Sequence, residues 1–367
     1  MSRNRNLFTL TAFAFAASAV LSAPAMAQSS VTISGVVDVG VNSSSGLNFA
    51  TGVGTVHTTS MVGGGLETSY LQFAGTEDLG DGLKSGFTLG TFFQPNDGQD
   101  GRTFLGAGAQ ADTFFSRDAN VWISGGAGKV ELGRQISPMY LSTLLFDPFG
   151  GSFDFSPIVY QTYATYSAGN SLSADTGYSN AISYSTPNFS GFSATFLYSL
   201  SGENGTKNSF STNALYFHGP LAATVAYENT TVGNASANDT FALGGAYPVG
   251  TTQNATKIGV SYDFTAIKAF FQADRNSTDV PTLANLTLDT YQIGATVPVG
   301  QGSILAAYAH TNGSADHKTF SIGYDYNLSK RTDIYTAYMN DKAAAFVDAD
   351  GDSYTNTSFS VGIRHHF

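Results

Sequence analysis

The chain has 367 residues, 27 acidic against 16 basic for a net charge of −11, and no cysteine. It therefore offers no basic stripe to displace the counterions of a nucleic acid, and no disulfide framework or thiolate site. Charged residues make up only 12% and aromatics 13%, with 28 Phe, 19 Tyr and 41 Gly, whereas a soluble domain carries about 25% charged residues; the composition leaves a secreted β-rich protein or a transmembrane β-barrel, whose lipid face needs no charge.

Residues 1–27 read as a secretory signal peptide: Arg3 and Arg5 supply the positive start, Leu7 to Leu21 the apolar run, and Ala25-Met26-Ala27 a small-residue cleavage site before Gln28. A membrane anchor is the competing reading, but the run is short for a spanning helix. Cleavage removes two basic residues and no acidic one, taking the net charge to −13. Residues 28–367 then form a single barrel domain, since no linker or composition shift interrupts them.

From there helical periodicity is nearly absent and period-two alternation recurs. Val31, Ile33, Val37, Val39 and Val41 oppose Thr32, Ser34, Asp38 and Asn42; further on, Ile258, Val260, Tyr262 and Phe264 oppose Lys257, Gly259, Ser261 and Asp263. A soluble sandwich alternates too. Two features favour a membrane barrel with a wet lumen: rings at strand ends (Tyr198, Tyr227, Phe264, Phe367), and a small or charged opposite face. Strands are expected near 31–42, 68–77, 83–95, 113–124, 129–135, 179–187, 191–200 and 210–218. Others are expected near 220–230, 255–264, 267–275, 287–297, 303–311, 318–327, 331–340 and 357–367. The segment 240–250 could be another, but an odd number would prevent antiparallel closure, so it is assigned to a loop. The fold expected is all-β: a 16-stranded antiparallel transmembrane β-barrel, a size that leaves an aqueous channel. Tight turns alternate with long connections (43–67, 96–112, 136–178, 231–254, 341–356), as in outer-membrane barrels.

Six segments in order, AGTEDLGDGLKSGF, ISGGAGKVELGRQISPMY, FDPFGG, NAISYSTPNFSGF, YDYNLSKRTDIYTAYM and SVGIRHHF, resemble the Gram-negative general porins of β-proteobacteria. The resemblance implies a homotrimer in the outer membrane, in contact with lipid and lipopolysaccharide. It implies that the third long loop, 136–178, folds inward as an eyelet; no cofactor is assigned. It also implies that Phe367 is the signal read by the barrel-assembly machinery. The sequence departs from the family where two arginines usually precede GTEDL: Tyr70 and Ala74 stand there, and a further family arginine is missing near Gly177–Tyr178. Arg117 and Arg134 match family positions.

Between Arg134 and Lys207 there is no Lys or Arg, while Asp147, Asp154 and Asp175 lie in the third loop. The constriction is accordingly expected to place Asp147 and Asp154 opposite Arg117 and Arg134, with Lys84, Lys257, Lys268 and Arg364 as further pore-lining charge; a ring of charge in a narrow wet pore sets ion preference. The alternative for the two aspartates is that they brace the loop against the wall. Arg117 falls in step with Val121 and Ile123, which by strict alternation turns it outward unless Trp122 marks the outer face. The loop's rings (Tyr140, Phe146, Phe149, Phe153, Phe155, Tyr160, Tyr163, Tyr166) either pin it to the wall or stack on solutes, the latter making a substrate-specific channel.

DADGDSY (348–354) is a poor calcium loop, with Gly351 too early and no bidentate Glu at the twelfth place, so no metal site is assigned. SGGAGKV lacks the Ser or Thr of a phosphate loop. The six histidines are scattered and no catalytic set emerges, although a barrel could assemble one as an outer-membrane hydrolase. The function expected is passive diffusion of ions and small hydrophilic solutes, with weak cation preference from the acid-only loop and the missing arginines.

Overall fold

The computed structural model describes residues 30–47, 55–102, 112–163, 176–200, 207–231, 249–281, 285–312, 316–347 and 353–367. Their strands are, in chain order, β1 Ser30–Leu47, β2 Thr55–Gly63, β3 Tyr70–Gly80, β4 Leu83–Phe92, β5 Asp118–Gly125, β6 Gly128–Ile136, β7 Gly177–Ser185, β8 Phe192–Ser199 and β9 Ser209–His218. They continue with β10 Leu221–Thr231, β11 Thr252–Asp263, β12 Lys268–Asp279, β13 Leu286–Val299, β14 Gly302–Asn312, β15 His317–Asn327, β16 Thr332–Val347 and β17 Ser353–His366. Two short helices, α1 Pro138–Leu145 and α2 Pro157–Thr162, lie between β6 and β7.

The strands form one antiparallel sheet that closes on itself, β1 pairing with β17 from Val36↔His366 to Ser45↔Thr357. Gly35 and Phe367 extend that seam by exchanging both backbone hydrogen bonds (3.2 and 3.1 Å). On its other edge β1 pairs first with β3 (Ser30↔Thr76 to Val36↔Tyr70) and then with β2 (Val39↔Gly63 to Leu47↔Thr55). β2 and β3 are thus two pieces of one barrel position, and the seventeen strands make a sixteen-position barrel. The break between them is held by Asp38: its carboxylate accepts from the backbone N–H of Leu66 and Glu67 (both 2.8 Å) and from the Tyr335 hydroxyl (2.7 Å). Gly64 turns the chain there at φ 83°, in the left-handed region open to glycine. All sixteen expected strands are present, and β2 is an addition. Most of the 240–250 segment and of the 348–354 loop lies outside the described residues, as do residues 1–29.

Alternation sorts the two faces. Outward positions are apolar and exposed (Ile293 60%, Val225 52%, Val361 51%), as a lipid-facing belt requires, since each such side chain gains about 1.5–3 kcal/mol on leaving water. Tyrosines at the short-turn rim reach back to turn carbonyls, Tyr324 to Val299 and Tyr184 to Ala127 (3.0 and 2.5 Å). Inward positions are polar, and many are buried (Asn213, Thr224, Lys257, Gln272, Gln292), although they face what would otherwise be open lumen. The third loop covers them.

Candidate functional site

The loop enters the barrel at Ser137, whose hydroxyl caps α1 by accepting from the N–H of Met139 and Tyr140 (3.2 and 3.3 Å) and itself donates to Glu228 of β10 (2.7 Å). Pro138 and Pro157 start the two helices where a missing N–H costs nothing. The wall satisfies the loop's backbone: Asn213 donates to the Pro138 carbonyl (2.9 Å), Gln272 to those of Thr143 and Phe146 (3.2 and 2.9 Å), and Gln292 accepts from the N–H of Ile158 (2.8 Å). Gln161 of α2 reaches Thr319 (2.8 Å) beside a buried His317–Asp341 pair (2.6 Å).

Between the helices, FDPFGG (146–151) sits on a shelf of inward glycines. A Cβ at Gly259 would lie 2.9 Å from Phe146, at Gly294 2.5 Å from Pro148, and at Gly323 3.4 Å from Phe149. The loop is thereby pressed against β9–β15, and the remaining lumen is displaced toward β3–β6. There a cavity of about 490 Å³ separates the loop (Ile136, Tyr140, Leu141, Leu144, Phe153) from a wall bearing Tyr70, Arg117, Asp118, Lys129 and Glu131.

The eight charged candidates do not converge. Arg117 lines this cavity: its Nη1 donates to Gln72 and to Asp118 (2.9 Å), and the guanidinium stacks 3.8 Å from the Tyr70 ring. The outward turn foreseen from its phase does not apply, because β5 begins one residue later; Val121 and Ile123 face out, and Trp122 faces in under the Lys129 ammonium (5.3 Å). Arg134 is buried, donating to the Ser116 carbonyl and to Ser179 (3.0 Å), and a bulge between Gly133 and Gln135 breaks the alternation that would pair it with outward Leu132.

Asp147 is turned away from the opening. It accepts from the Gly151 N–H and from Gln292 (both 2.9 Å), and burial pushes its carboxyl above the usual range. Asp154 lines a separate pocket of about 20 Å³ with Thr68, Ser69 and Arg102; burial and then the nearby Asp38 charge push it up to about 7. Lys257 is fully covered by the loop and paired with Asp274 (2.5 Å). Lys84 and Lys268 stand near the short-turn rim, Lys268 5.0 Å from the Phe270 ring. Arg364 faces the lumen among Asp325 (2.8 Å), Asp333 (3.2 Å) and Glu67 (3.7 Å). Phe367 points outward, over Gly35.

Most of the described loop rings are packing: Tyr140, Phe146, Phe149, Phe155, Tyr160 and Tyr163 are buried, and of the rings Tyr140 and Phe153 border the cavity. Glu67, Arg102, Asp118, Lys129 and Glu131 also line the cavity, and none of them is among the candidates named from the sequence. Lys129 and Glu131 alternate with Val130 and Leu132 in the strand expected at 129–135, and that alternation is the signal that places both on the lumen face.

Residues 11–345 match the family model described as Gram-negative porin. Outer membrane porin protein 32 of Delftia acidovorans is 32% identical, with 94% of this chain and 96% of that one covered. Among solved structures, the anion-selective porin from Comamonas acidovorans superposes with a TM-score of 0.75 at 26% identity, over 93% of this chain and all of the other. Outer-membrane expressed OmpT of Vibrio cholerae, at 13% identity and a TM-score of 0.64 over 92% of this chain and 98% of its own, shares the fold. The chain belongs to the Gram-negative porin family: it is an outer-membrane porin, a water-filled barrel through which ions and small hydrophilic solutes diffuse.

Proposed function

We propose that solute passage is sieved at the off-centre gap between the third loop and β3–β6, and that the channel weakly prefers cations. The observation that carries this reading is the balance of charge along the opening. Arg102, Arg117 and Lys129, which line the cavity, each carry an acidic neighbour, Asp112, Asp118 and Glu131, while Arg364 stands among Glu67, Asp325 and Asp333. Tyr70 and Ala74 occupy the positions where the family's arginines would add positive field. The Comamonas relative is named anion-selective, so the sign is a sharp test. Zero-current potentials in a planar bilayer under a KCl gradient should show modest cation preference, and clear anion preference would overturn this part of the reading.

The further partners belong to the same proposal: a homotrimer, contact of the apolar belt with lipid and lipopolysaccharide, and recognition of Phe367 by the barrel-assembly machinery, after export directed by residues 1–27. The outward Phe367 ring at the closing seam supports its role. Phe367→Ala should lower the yield of heat-resistant trimer in outer membranes while leaving the conductance of assembled channels intact; unchanged yield would count against it. A substrate-specific channel built on the loop's rings is less favoured, because most of the described rings are buried.

A further inference from the structure

Helix α1 is amphipathic in the wrong sense for a helix in a water-filled pore. Its hydroxyl residues Ser142 and Thr143 are fully buried against the wall, Ser142 bonded to Asn213 and Thr224 (both 3.1 Å), while Leu141 and Leu144 border the cavity half-exposed. The loop's own acid, Asp147, is likewise turned inward to Gln292. Apolar surface held against water is unfavourable unless something covers it, and here Ile136 and Phe153 extend it on the same side.

Facing this surface, the wall carries charges of both signs side by side. The Arg117–Asp118 pair closes at 2.9 Å, with the arginine side chain 30% and the aspartate 16% exposed; Lys129 and Glu131 form a second pair. A simple anion or cation meets an immediate opposite charge beside each favourable one. A zwitterion does not suffer that cancellation, because its carboxylate can lie against a guanidinium or ammonium while its own ammonium lies against the neighbouring carboxylate. Stacking on Tyr70 at 3.8 Å and the bond to Gln72 hold the Arg117 fork in place, so little freedom is lost on engagement.

Resting on the reading of this gap as the sieving constriction, we propose that it is a transient binding station for small zwitterions with an apolar side chain, α-amino acids with hydrocarbon or aromatic side chains being the class that fits. The charged end lies on the Arg117–Asp118 and Lys129–Glu131 wall, and the side chain covers Leu141, Leu144 and Phe153. Binding is weak and reversible, which speeds passage of a dilute solute without closing the channel.

The test uses the purified full-length protein in planar bilayers, with current fluctuations recorded in KCl as L-leucine, L-phenylalanine, glycine, N-acetyl-leucinate (carboxylate only) and leucinamide (ammonium only) are added. Leucine and phenylalanine should interrupt the current saturably, at concentrations about tenfold below glycine, the gain expected from partly covering one side chain. Both single-charge analogues should be weaker than leucine. Leu141→Ser/Leu144→Ser should bring the leucine-to-glycine ratio toward one, and Arg117→Gln should weaken both amino acids. Equal interruption by leucine and glycine, or an acetylated analogue as effective as leucine, would overturn the proposal in the wild-type protein without any variant. Absence of ion conductance altogether would instead refute the sieving reading on which it rests.

Discussion

The two halves of the lumen wall solve the same problem in opposite ways. Where the third loop lies on the wall, the inward residues beneath it are polar yet dry: Lys257, Asp274, Gln272 and Gln292 spend their hydrogen bonds on each other and on the loop backbone. From β3 to β6 the charged groups border open water, and their bonds run within the wall itself, Arg117 to Gln72 and Asp118. A charge beneath the loop therefore acts as a fastening, and a charge beside the gap as part of the solute path. Residue type does not distinguish the two roles; cover by the loop does.

The hardest test of this division is to unseat the loop. Gly294→Leu places a Cβ 2.5 Å from the Pro148 ring and 3.0 Å from the Ala306 carbonyl, and overpacking of this kind costs about 1–3 kcal/mol. Because the closest approach is to the Pro148 ring and the strand hydrogen bonds of Gly294 are kept, the barrel should still assemble, with single-channel conductance and the size limit for sugars in liposome swelling both raised. Unchanged conductance would mean that the glycine shelf does not seat the loop.

Next in size is the covered ion pair. Lys257→Met leaves Asp274 buried without its cation, at a cost of about 3–5 kcal/mol, visible as lowered denaturant resistance and noisier current. Lys257→Met/Asp274→Leu should recover most of that loss. If the single variant is as stable as the wild type, the pair is not a fastening.

The smallest effect concerns Asp154, whose carboxyl is raised to about 7 by burial and then by Asp38. A raised folded value means that the folded state favours the protonated acid. Its packing is therefore unopposed below the ordinary value of 3.8 and is progressively opposed as pH rises through about 7. Channel noise should increase between pH 6 and 8, and Asp154→Asn should flatten that change.

How much of this was legible in the sequence follows from periodicity. The sixteen strands were readable because one face is apolar and the other small or charged at every second residue. β2 was not, since TVHTTSMVG is exposed on both faces over most of its length and carries no such signal. Arg117 and Arg134 escaped alternation for two local reasons, a strand that starts one residue later and a bulge. The inward glycines were seen only as small residues; nothing near Gly259 or Gly294 in the chain says that Phe146 and Pro148 will rest there. Asp147 illustrates the general limit: a loop's charge can be counted from sequence, but the direction it faces is set by Gln292, 145 residues away.

The seam between β1 and β17 has a consequence for the order of events during folding. Val36 pairs with His366 across nearly the whole chain, whereas most other neighbours in the sheet are joined by hairpins. Contacts so distant in sequence form late, because the loop they close must first be restrained by nearer pairings. Until that step both strands present unpaired edges, each able to template a foreign strand. The exchange of hydrogen bonds between Gly35 and Phe367 is thus the point at which an open, adhesive sheet becomes a closed, inert wall.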